Sequence, residues 1–417
     1  MAAILLASVA AAAADEDPDD IPDLGLDVTA ASTDFGGASP LATSRTVLHW
    51  SEETANSVDQ VTYGYNMVGV NPSTDESATI GVDIIPLEVN VAGHSFSGSQ
   101  IVPAVVASPL FQTTYLDANN VRRNFSYAST PNASTGIGGR GTGGQLGLDS
   151  SGVQLLDATM RAQFGKVGSG YHLRLDQPVV HDPVAIDVPS SKGTTLTSPA
   201  MVTYADIEAT WFRTRIQNQL GRLDYLEPTR LALFITYDVM LFSGGNLMNV
   251  VTGAHGAGPA TGHGNGPVSG NGNQPIQTFV WGSWLSSGFF TRTRMWAMQD
   301  IHSLSHEIVE WAVNPFGNNT VAPWFVDRAS QYGCSDEFET GDPVVGLGFS
   351  LGYHHFDEVP RFSEHVYHPS DEVMLPWFMR STPETQGGRY TFMGSLNRVV
   401  NAGGVSVFQH PATGCSA

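Results

Sequence analysis

Hydrophobic and polar residues alternate in VTYGYNMVGV and TIGVDIIPLEVNV, two stretches within the first hundred residues. This period of two, rich in β-branched residues, predicts two strands joined by the turn NPSTDES. YHLRL and PVAIDVP repeat the pattern further on, and Leu231–Phe242 is a continuous apolar run typical of a buried strand. The pattern predicts a β-rich region over residues 41–230.

Apolar residues recur at helical spacing in Val153–Phe164, in Tyr204–Gly221 and in RMWAMQDIHSLSHEIVEWAVNP, which ends at Asn314–Pro315. A short helical segment in YHPSDEVMLPWFMR and a strand pair around YTFMGSL and VSVFQ follow. We therefore predict an α+β fold, in which the β-rich half packs against an α+β half at residues 231–417. The composition of the glycine-rich stretch Gly253–Gln274, which contains His255, predicts a mobile surface loop.

The first residues are typical of an exported protein. Residues 1–14 are apolar and end in small residues, which indicates a signal peptide too short to span a bilayer. Residues 15–40 are acidic and rich in Gly and Ser, so we expect a flexible segment there. We expect no transmembrane segment and a secreted or extracytoplasmic location.

Charge narrows the range of partners. The 417 residues include 19 basic and 40 acidic side chains, for a net charge of −21. Without a basic stripe to neutralise phosphates, nucleic acids and anionic membranes are excluded as expected partners. The two cysteines, Cys334 and Cys415, are an even number in an exported chain, which favours one disulfide over two unpaired thiols.

The most informative motif is H-E-x-x-E, formed by His306, Glu307 and Glu310. In a helix, residues i and i+4 share a face, so His306 and Glu310 can both reach one metal ion. Glu307 holds the position of the general base in H-E-x-x-H metallopeptidases. The alternative is an ordinary helix with a solvated acidic face.

The rest of this helix bears on that choice. His302 and Glu310 are eight residues apart, about 12 Å along a helix, which is too far to share an ion. His302 is therefore expected to pack in the helix interface or support a ligand. An apolar stripe on the same helix predicts burial, and a metal would compensate the buried carboxylate.

The segments DIHSLSHEIVEWAVNPFGNNTVAPWF and CSDEFETGDPVVG resemble a family of uncharacterised exported bacterial H-E-x-x-E proteins. They are more distantly similar to the plant phosphate-induced, EXORDIUM-like proteins. Further similar blocks are VVASPLFQ, LLDATMRAQF, GAHGA, QTFVWGSW and YHPSDEVMLPWF. The family is regarded as zincin-like, so the resemblance implies a zincin-like fold for residues 231–417.

The resemblance also implies roles for residues outside the helix. The element ETGD supplies Glu339 as the third metal ligand, with Asp342 as its alternative or as a supporting group. His255 is implied as a donor on the substrate side. A His/Glu/Glu set would bind zinc and would also tolerate manganese, calcium or iron.

Two functions are compatible with these features. The first is an exported metal-dependent hydrolase, most plausibly a zinc metallopeptidase with Glu307 as its base. The second is a non-enzymatic secreted or cell-wall protein with a structural metal or carboxylate cluster, which binds an extracellular polymer. Candidate sugar-stacking residues for the second function are Trp281, Trp284, Trp296, Trp311, Trp324 and Trp377.

Overall fold

The computed structural model describes residues 45–127, 152–198, 200–243, 246–260, 275–287, 289–290, 297–325, 334–353, 366–381 and 390–393. Several sequence predictions lie wholly or partly outside these residues: the signal peptide (1–14), the acidic segment (15–40), residues 261–274 of the glycine-rich loop, the start of the motif helix with Trp296, the strand pair around YTFMGSL and VSVFQ, and Cys415. The disulfide between Cys334 and Cys415 therefore stays a prediction.

The strands are β1 (His49–Ala55), β2 (Thr62–Val68), β3 (Ser77–Ile80), β4 (Val82–Val91), β5 (His94–Ser97), β6 (Thr114–Leu116), β7 (Arg122–Asn124), β8 (His172–Leu175), β9 (Val179–Val180), β10 (Val184–Asp187), β11 (Gly193–Thr197), β12 (Thr203–Glu208), β13 (Leu231–Tyr237), β14 (Val239–Ser243), β15 (Asn246–Val251), β16 (Gly253–Pro259), β17 (Ile276–Trp284), β18 (Thr320–Trp324) and β19 (Ser335–Glu337). The helices are α1 (Val102–Val106), α2 (Leu155–Gln163), α3 (Ala209–Arg222), α4 (His302–Val313) and α5 (Leu375–Phe378), with short 3-10 turns at Pro72–Thr74, Gly98–Ile101 and Asp342–Val344. The predicted α+β class is confirmed.

A seven-stranded central sheet organises the fold. Its strands follow the order β10-β4-β13-β17-β16, and β5 and β9 also pair with β4. Strands β4, β13 and β17 are parallel, whereas β16 is antiparallel to β17. Strand β13 begins at the predicted boundary between residues 230 and 231 and lies between β4 and β17. The central sheet therefore takes strands from both sides of that boundary.

Both faces of the central sheet are covered. Along β13, Leu233 and Ile235 join the core that contains α4, and Phe234 joins the core that contains α3. All nine residues of β17 are buried. A strand covered on both faces buries every side chain, which explains the continuous apolar runs in these stretches.

The remaining strands form smaller sheets. A four-stranded sheet has the order β11-β12-β14-β15, and the pairs β1–β2, β3–β8, β6–β7 and β18–β19 are separate. The first and last of these pairs lie near the C-terminal end of α4, where the Asn319 side chain bonds both Asn66 and the carbonyl of Val313.

Two predicted elements are divided in the structure. The helix predicted from Tyr204 begins only at Ala209, because β12 occupies Thr203–Glu208 and the Glu208 carboxylate accepts the amide protons of Thr210 and Trp211 as an N-cap. The strand predicted over Leu231–Phe242 is broken at Asp238, whose φ is +53°. The chain turns there and passes from the central sheet to the four-stranded sheet.

Helix α4 carries the H-E-x-x-E motif and lies against β17 and β16. All twelve of its residues are buried, which confirms the predicted burial and excludes a solvated acidic face. Its serines are paired inside the protein: Ser303 bonds Thr252, and Ser305 bonds the carbonyl of His302. Among the described residues, no helix has the length and apolar character needed to cross a membrane.

Asp206 on β12 is a buried carboxylate without a hydrogen bond to either oxygen. Burial raises the pKa of Asp206 to about 6. Between its unfolded value near 3.8 and about 6, the folded state holds the proton more tightly, so the stability contribution of this residue falls as pH rises through that window. At neutral pH the ionised carboxylate therefore destabilises the fold.

We expect Asp206→Asn to raise the free energy of unfolding at about pH 7.5 by about 1–3 kcal/mol, because a buried unpaired charge costs more than a buried unpaired amide. The gain should shrink as pH falls toward about 4, where the native carboxyl is neutral as well. Urea unfolding at both pH values measures it. The exposed Asp182→Asn should show neither effect, and equal stabilities of wild type and Asp206→Asn at pH 7.5 would refute the explanation.

Candidate metal centre

Helix α4 presents His306, Glu307 and Glu310 toward β16 and toward the segment that follows β19. His306 and Glu310 are one turn apart, and Nε2 of His306 lies 3.1 Å from Oε2 of Glu310. This is the convergence that the i,i+4 spacing predicts. The side chains are only 9% and 4% exposed, so the pair is enclosed by the protein.

His255 lies on β16 and not in a mobile surface loop, which corrects the prediction for this residue. Its strand pairs with β17 in antiparallel register, with His255 opposite Val280. The glycines that suggested a loop have no side chains, so α4 can cross close to the backbone of this strand. The pairing places the His255 ring, with a side chain 6% exposed, against the carboxylates of α4.

The backbone after β19 fixes the orientation of Glu310. The amides of Gly341 and Asp342 donate to Oε1 of Glu310 at 2.8 and 3.2 Å. The other oxygen, Oε2, is thereby directed toward His306. Oδ1 of Asp342 lies 3.5 Å from Nε2 of His306, so Asp342 approaches the same imidazole nitrogen.

A second set of contacts surrounds His255. Its Nδ1 lies 3.2 Å from Oε2 of Glu307 and 3.9 Å from Oε2 of Glu310. Its Nε2 lies 3.5 Å from Oε2 of Glu339. The other oxygen of Glu339 accepts a hydrogen bond from Nδ2 of Asn314, the residue that caps α4. Glu339 therefore lies behind the His255 ring.

Two groups of side chains could hold a metal ion, since the ligand atoms within each group lie within 4.8 Å of one another. One comprises His306, Glu310 and Asp342, and the other comprises His255, Glu307 and Glu310. Of the two residues offered as third ligand beside His306 and Glu310, the structure brings Asp342 into the group. Glu339 belongs to neither group and lies against His255.

Close packing around the centre depends on two glycines. A Cβ atom at Gly341 would overlap Nδ1 and Cε1 of His306, and one at Gly253 would overlap the Glu307 side chain. No larger residue fits at either position unless the histidine or the carboxylate moves. The glycines in ETGD and GAHGA therefore allow the backbone to approach these side chains closely.

Burial and charge together set the protonation of the centre. Burial raises the pKa of Glu307, and raises that of Glu339 further. Burial alone would lower the pKa of His255, but the carboxylates of Glu339 and Glu307 raise it to about 10. Burial has the same effect on His306, and the Glu310 carboxylate more than offsets it and raises the pKa. Protons thus partly compensate the buried carboxylates, and a cation could take their place.

Sequence reasoning missed two residues of this region. Glu372, only 2% exposed, interacts electrostatically with His306 and Glu310; Thr340 bonds one of its oxygens and the other has no partner. Nδ2 of Asn314 donates a hydrogen bond to Glu339. Its Oδ1 accepts hydrogen bonds from the backbone amides of Asn318 and Asn319, so Asn314 shapes the NPFGNN turn. An acidic residue within the apolar block YHPSDEVMLPWF was the available signal for Glu372.

His302 is buried but belongs to neither group. Burial lowers the pKa of His302 to about 3, so the ring is neutral. It lies near His306 and next to the chain at Gly348. These positions agree with a packing role one turn before the motif.

The centre therefore combines two imidazoles with several carboxylates, the donor set of hard and borderline divalent ions such as zinc, manganese and iron. No family model, no curated protein and no solved structure matches this chain.

Proposed function

We propose that this protein is a metal-dependent hydrolase that acts on peptides outside the cytoplasm, with a divalent ion held by His306, Glu310 and Asp342. The proposal rests on the convergence of these three side chains, two from the buried motif helix and Asp342 from the segment after β19. One imidazole and two carboxylates suit zinc, and also manganese, calcium or iron.

A divalent ion at this position would polarise a substrate carbonyl and lower the pKa of a bound water. Glu307 follows His306 directly on α4, and its Oε2 accepts a hydrogen bond from His255 Nδ1 in the tautomer that carries the proton there. In the proposed reaction Glu307 takes the proton from the attacking water. Glu339 and Asn314 orient His255, and His255 in turn orients Glu307.

A structural metal is the second candidate, and the low exposure of the centre favours it. The exposed fraction of the side chain is 4% for Glu310 and rises only to 17% for Asp342. In this alternative the ion ties α4 to the segment after β19 and supports the fold. The tryptophans give the polymer-binding part of this alternative little support, since those on the described residues are buried: Trp281, Trp284, Trp311, Trp324 and Trp377.

The two functions are separated by comparing Glu307→Gln with Glu310→Ala in metal content, melting temperature and hydrolysis of a broad peptide library. A hydrolase loses activity in both variants, but loses the His306 ion only in the second. If the metal is structural, the wild-type protein hydrolyses no peptide, and only Glu310→Ala lowers the melting temperature.

Gly341→Ala offers a more local test of the ion position. The added methyl would displace the His306 ring, so we expect metal affinity to fall by about 10–100-fold, the usual effect of disturbing groups that orient a ligand. Competition with a chromophoric chelator measures the affinity. Gly64→Ala on β2 is the control, because its Cβ would lie 3.8 Å from the nearest side-chain atom. Equal affinities of Gly341→Ala and wild type would argue against His306 as a ligand.

A further inference from the structure

The second group of side chains, formed by His255, Glu307 and Glu310, has ligand atoms close enough together to hold an ion of its own. We propose that it binds a second divalent ion, so that Glu310 bridges two metals. This inference rests on the proposed function, because it places the second ion beside the first in the same centre.

Distances argue against one ion held by both histidines. Ligand distances of about 2.0–2.2 Å keep two atoms bound to the same zinc within about 4.4 Å of each other. Among the described residues, no group whose ligand atoms lie within 4.8 Å contains both His255 and His306. Glu310 belongs to both groups, and its Oε2 lies 3.1 Å from one histidine and 3.9 Å from the other.

His255 is also held as a metal ligand would be. Its Nδ1 faces Glu307 and Glu310 and would bind the second ion in place of its hydrogen bond to Glu307, and its Nε2 faces Glu339 on the opposite side of the ring. Nε2 of His255 and Oε2 of Glu339 are buried, lie 3.5 Å from each other and have no other hydrogen-bond partner. A metal-bound histidine usually directs its other nitrogen to a carboxylate in this way. Glu339 thus becomes the residue that positions His255, and not a ligand of the first ion.

Charge favours two ions as well. The centre contains four buried carboxylates, Glu307, Glu310, Glu339 and Glu372, and the carboxylate of Asp342, whose side chain is 17% exposed. One divalent ion compensates two of these charges, and two ions compensate four. An uncompensated buried charge is unfavourable, so the second ion stabilises the ionised cluster. A carboxylate that binds through one oxygen keeps the other, so Glu307 can hold the second ion and still accept a proton.

The test is the metal stoichiometry of the full chain. Protein stripped by a chelator is reloaded with Mn²⁺, desalted and analysed for ions per chain, and its electron paramagnetic resonance spectrum is recorded. We expect two ions per chain in wild type and an exchange-coupled Mn²⁺ spectrum, because the ions share Glu310. One ion per chain, or an uncoupled spectrum, overturns this inference and leaves the proposed function standing. No bound ion overturns both.

Variants locate the second ion. We expect His255→Ala to bind one ion and to lose the coupled signal, whereas the control His94→Ala, which removes an exposed histidine on β5, binds two. If His255→Ala does not fold, His255→Asn replaces it, since a polar side chain remains on β16. A His255 variant that folds and still binds two coupled ions overturns the assignment. The wild-type spectrum decides between one and two ions without any variant.

Discussion

Glu307→Gln is expected to lower the rate of hydrolysis by about 10²–10⁴-fold, the contribution of a general base. Glutamine has the same shape and can still accept the hydrogen bond from Nδ1 of His255, so α4 should keep its place. The ion held by His306, Glu310 and Asp342 should remain, and metal content should fall by no more than one ion per chain. Initial rates on a cleaved peptide, measured together with metal analysis, give both numbers.

The matched control is Glu227→Gln, which makes the same chemical change at an exposed position and should leave rate and metal content unchanged. A Glu307→Gln protein with the wild-type rate would remove Glu307 from the mechanism. A wild-type protein that binds metal and cleaves nothing would leave the structural alternative.

Glu310→Ala should have the largest effect on metal binding, because Glu310 belongs to both metal-ligand groups. We expect the purified variant to contain no specifically bound ion and its melting temperature no longer to respond to added metal. In wild type, binding of the ion to the native state alone raises the melting temperature as metal is added. Metal analysis and thermal unfolding with and without Mn²⁺ measure the two effects.

Part of the effect of Glu310→Ala comes from hydrogen bonds, since the amides of Gly341 and Asp342 lose their acceptor. Each buried unpaired amide costs about 1–3 kcal/mol. Glu310→Gln separates the two causes, because its amide oxygen can still accept both hydrogen bonds but is a much weaker ligand. A Glu310→Gln protein with full metal content would show that Glu310 is not a ligand.

Local periodicity predicted those parts of the fold that depend on near neighbours in the chain. The helix over Leu155–Gln163 and the buried helix α4 follow from apolar residues at helical spacing. Helix α4 begins only at His302, because Asp300, which was predicted to be helical, forms a β-bridge with Leu285. Prediction was less accurate where the chain changes direction. The Glu208 cap and the turn at Asp238 each divide a stretch that periodicity alone treats as one element.

Residues Gly253–Pro259 of the predicted glycine-rich loop were misjudged for a related reason. Glycine is typical of loops, but β16 is a strand because the edge of β17 is available for pairing and because α4 crosses closely over Gly253. Both causes lie in distant parts of the chain. Glycine here serves close approach and not flexibility.

The sequence by itself determined the helix that carries the centre and the shared face of His306 and Glu310, since an i,i+4 pair is fixed by the pitch of the helix. Only the tertiary structure brought His255 to Glu307, residues 52 positions apart that meet because β16 pairs with β17 beneath α4. It also placed Asp342 beside His306 and moved Glu339 behind His255, a choice that depends on the path of the chain after β19. Local spacing carries no information about such long-range contacts, because they follow from the packing of the whole chain.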